Sequence, residues 1–171
     1  MGSDSTKDQL AQLHDGAFGW AMVCCGRDRD LARDVLQQSY CRILNGDASF
    51  GGRSEFSTWV FGVIRFVALE ETRRQQKHRQ SMSDLETGLH DSGRFDDAEI
   101  EHRELSDQLW AAMEQLSNRQ REVLHLVFYE ELTIERAAEV LEITVGSARQ
   151  HYQRGKESLR RILAASREFE R

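Results

Sequence analysis

The chain has 171 residues, 39% hydrophobic and 30% charged, which fits a soluble globular protein of one ordinary domain or two small helical ones. The absence of proline argues against a loop-rich fold, and no apolar run approaches the roughly 20 residues that span a membrane. Three cysteines, an odd count with Cys24 and Cys25 adjacent, argue against a disulfide framework, while the net charge of -6 argues against a nucleic-acid partner until its distribution is read.

The N-terminal MGSDSTKDQL is polar and lacks a signal-peptide pattern, so a reduced cytoplasm is the expected compartment. Residues from about 7 to 25 predict a first helix, with Leu10, Leu13, Ala17, Trp20 and Ala21 inward. Gly26 and the charged GRDRD end it. Residues 31–44 predict a second helix that buries Leu31, Val35, Leu36, Tyr40, Ile43 and Leu44. All three cysteines (Cys24, Cys25, Cys41) are expected to be buried small side chains. NGDASFGGRS reads as a loop. A long helix follows from 55 to about 77, with Phe56, Trp59, Val60, Val63, Ile64 and Val67 at helical spacing. Phe61 and Phe66 fall off that stripe. The stretch from 81 to about 100 has little apolar content and reads as a linker. Residues 105–116 open a second domain, with Leu105, Leu109, Met113 and Leu116 inward. The fold class expected is all-α: a domain over 7–80, an acidic linker over 81–104 and a second domain over 105–168.

The stretch from Leu116 to Leu163 divides into an amphipathic helix, a short helix, a turn and a long helix. Ser117 caps the first, with Gln120 completing a capping box. Val123, Leu124, Val127 and Phe128 form its apolar face. Thr133 caps the short helix, which buries Ile134, Ala137, Ala138 and Leu141. Glu142 and Ile143 make the turn, and Thr144 caps the last helix, which buries Val145, Ala148, Tyr152, Gly155, Leu159 and Ile162. Small residues (Ala137, Ala138, Gly146, Ala148) are expected to let the two helices cross closely, as a helix-turn-helix requires. Outward from the last helix stand Ser147, Arg149, Gln150, His151, Arg154 and Lys156, side chains with the reach to touch base edges and phosphates.

Charge is unevenly placed. Residues 53–80 hold six Lys/Arg against three acids, 81–104 hold eight acids against two Arg, and 144–171 hold seven Lys/Arg against three acids. Two basic modules thus flank an acidic connector, and local field governs phosphate contact more than total charge does.

LSNRQREVLHLVFYEELTIERAAEVLEITVGSARQHYQRGKESLRRIL resembles the C-terminal promoter-reading domain of bacterial sigma factors of the extracytoplasmic-function group. RQREVL and VGSARQHYQRGKESLRRIL carry it most specifically. LARDVLQQSYCRILNGDASFGGRSEFSTWVFGVIRFVALEETRRQQ resembles the sigma-2 domain of the same group, so the resemblance covers nearly the whole chain. It implies that the C-terminal helix-turn-helix reads the minus-thirty-five element and that Asp34 and Gln37 dock on the clamp helices of the polymerase's largest subunit. It implies that Phe50, the glycine-rich loop, Phe56 and Trp59 serve opening of the minus-ten element, and that Arg73, Arg74 and Lys77 lie over the DNA backbone. The chemistry agrees: a duplex opens by unstacking, and aromatic side chains on a basic helix hold unstacked bases. Phe50, Phe61 and Phe66 with Arg53 and Arg65 are the expected set, while Phe56 and Trp59 read mainly as core.

The chain departs from the family's pattern at three places. Phe66 stands where the family has Asn, so it can stack on a base but not hydrogen-bond to it. Arg33 and Gln38 stand where the family has acids that face a basic polymerase surface, which predicts weaker docking through Asp34, Gln37 and Gln38. A phosphate on Ser39, Ser49, Ser54, Ser57 or Thr58 would return negative charge there, making a protein kinase a candidate partner beside core polymerase, promoter DNA and an anti-sigma protein. His14–Asp15 and the cysteines give no second set at metal-ligand spacing, so neither a cofactor nor enzymatic activity is expected. A stand-alone helix-turn-helix regulator, or a sigma-like protein that does not start transcription, remains the alternative.

Overall fold

The computed structural model describes residues 2–81 and 108–169, and every regular element among them is a helix. The expected linker, apart from Ser81, and Leu105 lie outside the described residues. The chain divides into two compact units, Met1–Gly93 and Arg94–Arg171.

The first unit contains α1 (Gly2–Gln12), α2 (His14–Cys24), α3 (Arg29–Asn45) and α4 (Phe56–Ser81). The single helix expected over 7–25 is thus two, broken at Leu13, and α1 packs against α3 as well as α2. Leu13 is neither glycine nor proline, so apolar periodicity runs across the break. Asp28 caps α3, its carboxylate accepting from the Leu31 N–H at 2.9 Å. Gly46 ends α3 in the left-handed region at φ 82°, a conformation that costs glycine little.

α4 packs against both α2 and α3, so its buried face is wide. Thr58, Val60, Phe61, Ile64, Arg65, Val67 and Ala68 are all buried on it. This corrects the placement of Phe61: it is 2% exposed, and its carbonyl accepts a hydrogen bond from the Trp20 indole at 3.0 Å. A single apolar stripe describes a helix whose neighbours all lie on one side, not one gripped from two sides. Leu44, expected inside, is 42% exposed at the end of α3. Ser39 is fully buried, its hydroxyl donating to the Val35 carbonyl at 2.7 Å, and Thr58 is buried too, so neither is open to a kinase. Only Cys25 of the cysteines is buried. Burial, with Asp28 and Glu71 nearby, pushes its thiol up to about 12, far from the reactive thiolate. Cys41 is exposed, against expectation.

The second unit contains α5 (108–114), α6 (Asn118–Phe128), α7 (Ile134–Leu141) and α8 (Val145–Phe169). Met113, Leu116 and Leu124 form a core against which Trp110, Tyr152, Leu159 and Ile162 pack. The expected caps form: Ser117, Thr133 and Thr144 accept from the N–H groups of Gln120, Arg136 and Ser147 at 3.4, 3.3 and 3.1 Å. Arg121 plays a part the apolar pattern does not announce. Its guanidinium reaches back to the carbonyls of Met113, Glu114 and Leu116 at 3.0, 2.9 and 3.2 Å, satisfying carbonyls at the end of α5. His125 is buried on α6 with its Nε2 3.1 Å from the Glu130 carboxylate, tying α6 to the chain that leaves it.

Two inward expectations fail at helix ends. Phe128 is 55% exposed at the last position of α6, stacked on Tyr152 at 5.8 Å, and Val145 is 36% exposed at the first position of α8. Gly146 does not make the close approach between helices either, because a Cβ there would meet only the Thr144 Oγ1 of its own cap, at 4.0 Å. The close approach is made by Gly155 instead: a Cβ would lie 3.0 Å from Leu124 Cδ1 and 3.3 Å from Gln120 Cβ, so α8 presses directly on α6.

Candidate nucleic-acid interface

α7 and α8 are joined by a tight turn whose geometry the backbone fixes. Glu142 takes the left-handed conformation at φ 53°, ψ 43°. Its N–H bonds to the Glu139 carbonyl and that of Ile143 to the Ala138 carbonyl at 3.2 and 3.1 Å, the paired bonds of a Schellman ending. Thr144 then caps α8 at once. Ala137, Ala138 and Leu141 from α7 and Ala148 from α8 are all buried, which holds the two helices in one arrangement.

The six side chains expected outward on α8 do not share one face. At about 100° per residue, Ser147, Gln150, His151 and Arg154 fall in one arc, while Arg149 and Lys156 fall on the other side of the buried Ala148–Gly155 stripe. Gln150 and Arg154 are exposed, His151 half-buried. Ser147 is half-buried and accepts from the Thr144 hydroxyl at 2.9 Å. Lys156 lies over the Tyr152 ring with its Nζ 4.8 Å from the centroid. Arg149 is exposed and donates from Nη2 to the Glu135 carboxylate of α7 at 3.0 Å. That carboxyl is held below the usual range, first by a hydrogen bond from its own backbone and then by Arg149.

In the first unit the aromatic side chains are arranged differently from the expected set. Phe50 packs on Phe56 and Trp59 at 5.6 and 5.2 Å between centroids, and those two lie 5.6 Å apart. Phe50 is 42% exposed in its loop, and Phe66 is 56% exposed on α4, with the Arg42 guanidinium 6.0 Å from its centroid and paired to Glu70 at 2.7 Å. Arg53, Arg73, Arg74 and Lys77 are exposed, Arg74 being paired to Glu71 at 2.8 Å. Phe61 and Arg65 are buried and leave no surface for a base or phosphate.

On α3, Arg33, Asp34 and Gln37 are exposed and Gln38 is half-buried, with Arg33 3.8 Å from the Asp30 carboxylate. Beside Arg33 and Gln37 opens a cleft of about 530 Å³, floored by Phe18, Leu36 and Tyr40 and edged by His14, Arg29 and Cys41. Sequence periodicity does not show it, because the cleft is formed where α2 and α3 come together. The Tyr40 hydroxyl lies 3.4 Å from His14 Nδ1.

The sequence model described as Sigma-70, region 4 matches residues 106–159. The chain is 31% identical over 148 residues to the ECF RNA polymerase sigma factor SigX of Bacillus subtilis, covering 83% of this chain and 75% of that protein. It is 27% identical over 144 residues to the RNA polymerase sigma factor YlaC of Bacillus subtilis, covering 83% of each. In fold it is similar to the sigma factor RpoE of Bartonella quintana, solved with the anti-sigma factor NepR, with a TM-score of 0.74 at 18% identity over 94% of this chain and 97% of that one. It is also similar to CnrH, solved with the cytosolic domain of CnrY, with a TM-score of 0.61 at 20% identity over 96% of this chain and 91% of that one. An identity of 31% that runs across both units, beside a region 4 match on the capped helices of the second, means that this chain belongs to the extracytoplasmic-function group of RNA polymerase sigma factors.

Proposed function

We propose that the chain binds core RNA polymerase, carries it to promoters and opens the DNA there. Sigma factors are non-catalytic transcription factors, and this chain has that role by family. The observation that carries the DNA-reading half is α8: Gln150 and Arg154 stand exposed while the opposite face is locked by Ala148 and Gly155 against α7 and α6. A helix so held offers donors to the major groove from a fixed frame. Ser147, Gln150, His151 and Arg154 read the minus-thirty-five element from one flank, and Arg149 and Lys156 approach it from the other.

The first unit supplies docking and opening. Asp34, Gln37 and Gln38 meet the polymerase, with the neighbouring cleft taking an apolar side chain. Phe50 and Phe66 are the exposed rings that receive unstacked bases, and Arg53, Arg73, Arg74 and Lys77 follow the backbone. Residues 7–80 and 105–168 act as the two functional domains, joined by 81–104. Because RpoE and CnrH were solved with NepR and CnrY, an anti-sigma protein is the regulatory partner this reading favours. Of the hydroxyls considered for a kinase, Ser49 is exposed and Ser54 and Ser57 half-buried.

Permanganate probing tests the reading. On a fragment carrying the region upstream of the chain's own coding sequence, unpaired thymines are expected only when the chain and bacterial core polymerase are both present. Binding of both without reactive thymines would favour a sigma-like regulator that does not initiate. Binding of DNA by the chain alone, with no effect on polymerase, would favour a stand-alone regulator.

A further inference from the structure

We infer that Glu135 is a positioning residue for promoter selectivity: its carboxylate holds the Arg149 guanidinium so that it reads a base rather than wandering to a phosphate. The inference rests on the proposal that α8 reads DNA. Arg149 leaves α8 on the flank facing the first turn of α7, and its Nη2 meets Glu135 Oε1 at 3.0 Å. The two residues are 14 apart in sequence, so the pair bridges the turn between the helices rather than bracing one of them. Glu135 is itself constrained. It sits two residues past the Thr133 cap, and its carboxyl is held below the usual range first by its own backbone N–H and then by Arg149, with Thr133 a lesser cause. The acceptor therefore projects from the first turn of α7, whose start the Thr133 cap sets.

Both partners are exposed, with side-chain accessibilities of 63% and 55%, and an exposed pair adds little to stability. Its effect lies in geometry and field. An arginine has five N–H donors in a rigid fork, so one bond to Glu135 leaves the rest of the fork to meet a guanine edge. The carboxylate also repels the phosphate backbone, which disfavours the alternative of Arg149 as a mobile phosphate contact. Specificity arises here from an attractive donor combined with a repulsive neighbour. The ordinary role for an acid in the first turn of a helix is to complement the helix dipole, which would alter stability and leave base choice unchanged.

The test is selection from a promoter library randomised over the minus-thirty-five region, using the chain assembled with core polymerase. Wild type, Glu135→Gln, Glu135→Ala, Arg149→Ala, the double alanine variant and Arg154→Ala are compared, with melting temperature measured for each. Arg149→Ala is expected to flatten base preference about five-fold or more at the position it contacts. Glu135→Ala should flatten the same position and no other, raise affinity for a non-promoter duplex, and add nothing in the Arg149→Ala background. Glu135→Gln, which keeps an acceptor but loses the charge, should fall between. If Arg149→Ala flattens a position and both Glu135 variants keep it, the positioning role is overturned while the DNA-reading proposal stands. If Arg149→Ala leaves every preference intact while Arg154→Ala does not, the inference falls with Arg149 alone. If neither changes any preference, the reading of α8 itself fails.

Discussion

α4 and α8 are nearly the same length, 26 and 25 residues, and both carry arginines and aromatic rings, yet they differ in what the sequence says about them. α8 has one buried stripe, running through Ala148 and Gly155, so its polar side chains fall where periodicity puts them. α4 is gripped by α2 and α3, and Phe61 and Arg65 disappear into that grip although they stand off the main stripe. α8 also has two neighbours, α6 and α7, but both meet the one Ala148–Gly155 stripe, so a helical wheel reports surface only when the directions of the neighbours are known. A peripheral helix displays its function in its sequence, and a central one conceals it.

The largest expected effect separates two rings on α4. Phe61→Ala should destabilise the first unit by about 3–5 kcal/mol, since it removes a fully packed aromatic. Phe66→Ala should stay within about 0.5 kcal/mol of wild type, as exposed positions do, while impairing promoter opening. Urea unfolding followed by circular dichroism gives both numbers. Equal losses would mean that α4 has no concealed face and that the contrast with α8 is mistaken.

Gly155 and Gly146 sharpen the reading of α8. Gly155→Val should cost about 1–3 kcal/mol by overpacking against Leu124 and Gln120, whereas Gly146→Ala should stabilise by about 0.4–1 kcal/mol. A neutral Gly155→Val would show that α8 is not pressed on α6. Arg154→Ala should weaken promoter binding by about 1–3 kcal/mol if it contacts a base, with folding stability unchanged. A uniform loss on all sequences, with a salt slope lower by about one, would assign it to phosphate instead. The cap has a modest effect: Thr133→Ala should lower the stability of the second unit by about 1 kcal/mol, and no change would mean that the Arg136 N–H finds another acceptor.

The second unit was the more legible because its signals are local. Ser117, Thr133 and Thr144 mark helix starts through hydrogen bonds made three residues away, and such bonds depend on no distant partner. Arg121 was not legible, since its three acceptors lie five to eight residues back, at the end of α5 and in the turn after it. Gly146 was misread for a similar reason: a small residue permits close approach but does not say which neighbour approaches, and Gly155 is the one that α6 meets. In the first unit, Ser39 passed for a surface hydroxyl because serine is mostly an exposed residue, whereas the α3 carbonyl of Val35 satisfies it inside the core. Phe50, expected among the promoter-opening rings, is 42% exposed, but its packing on Phe56 and Trp59 is not visible from the sequence. The cleft beside Gln37 is shared between α2 and α3, and no pattern within either helix announces such a junction.

Run-off transcription tests the central claim most directly. Bacterial core polymerase alone, and core polymerase with the chain, are given a template carrying the chain's own upstream region. A discrete transcript is predicted only when the chain is present, reduced by Arg154→Ala and by Phe66→Ala but restored for Phe66→Ala on a template already mismatched across the minus-ten region. A transcript pattern identical with and without the chain, from a chain shown to be folded and bound to the polymerase, would contradict the claim that it initiates transcription.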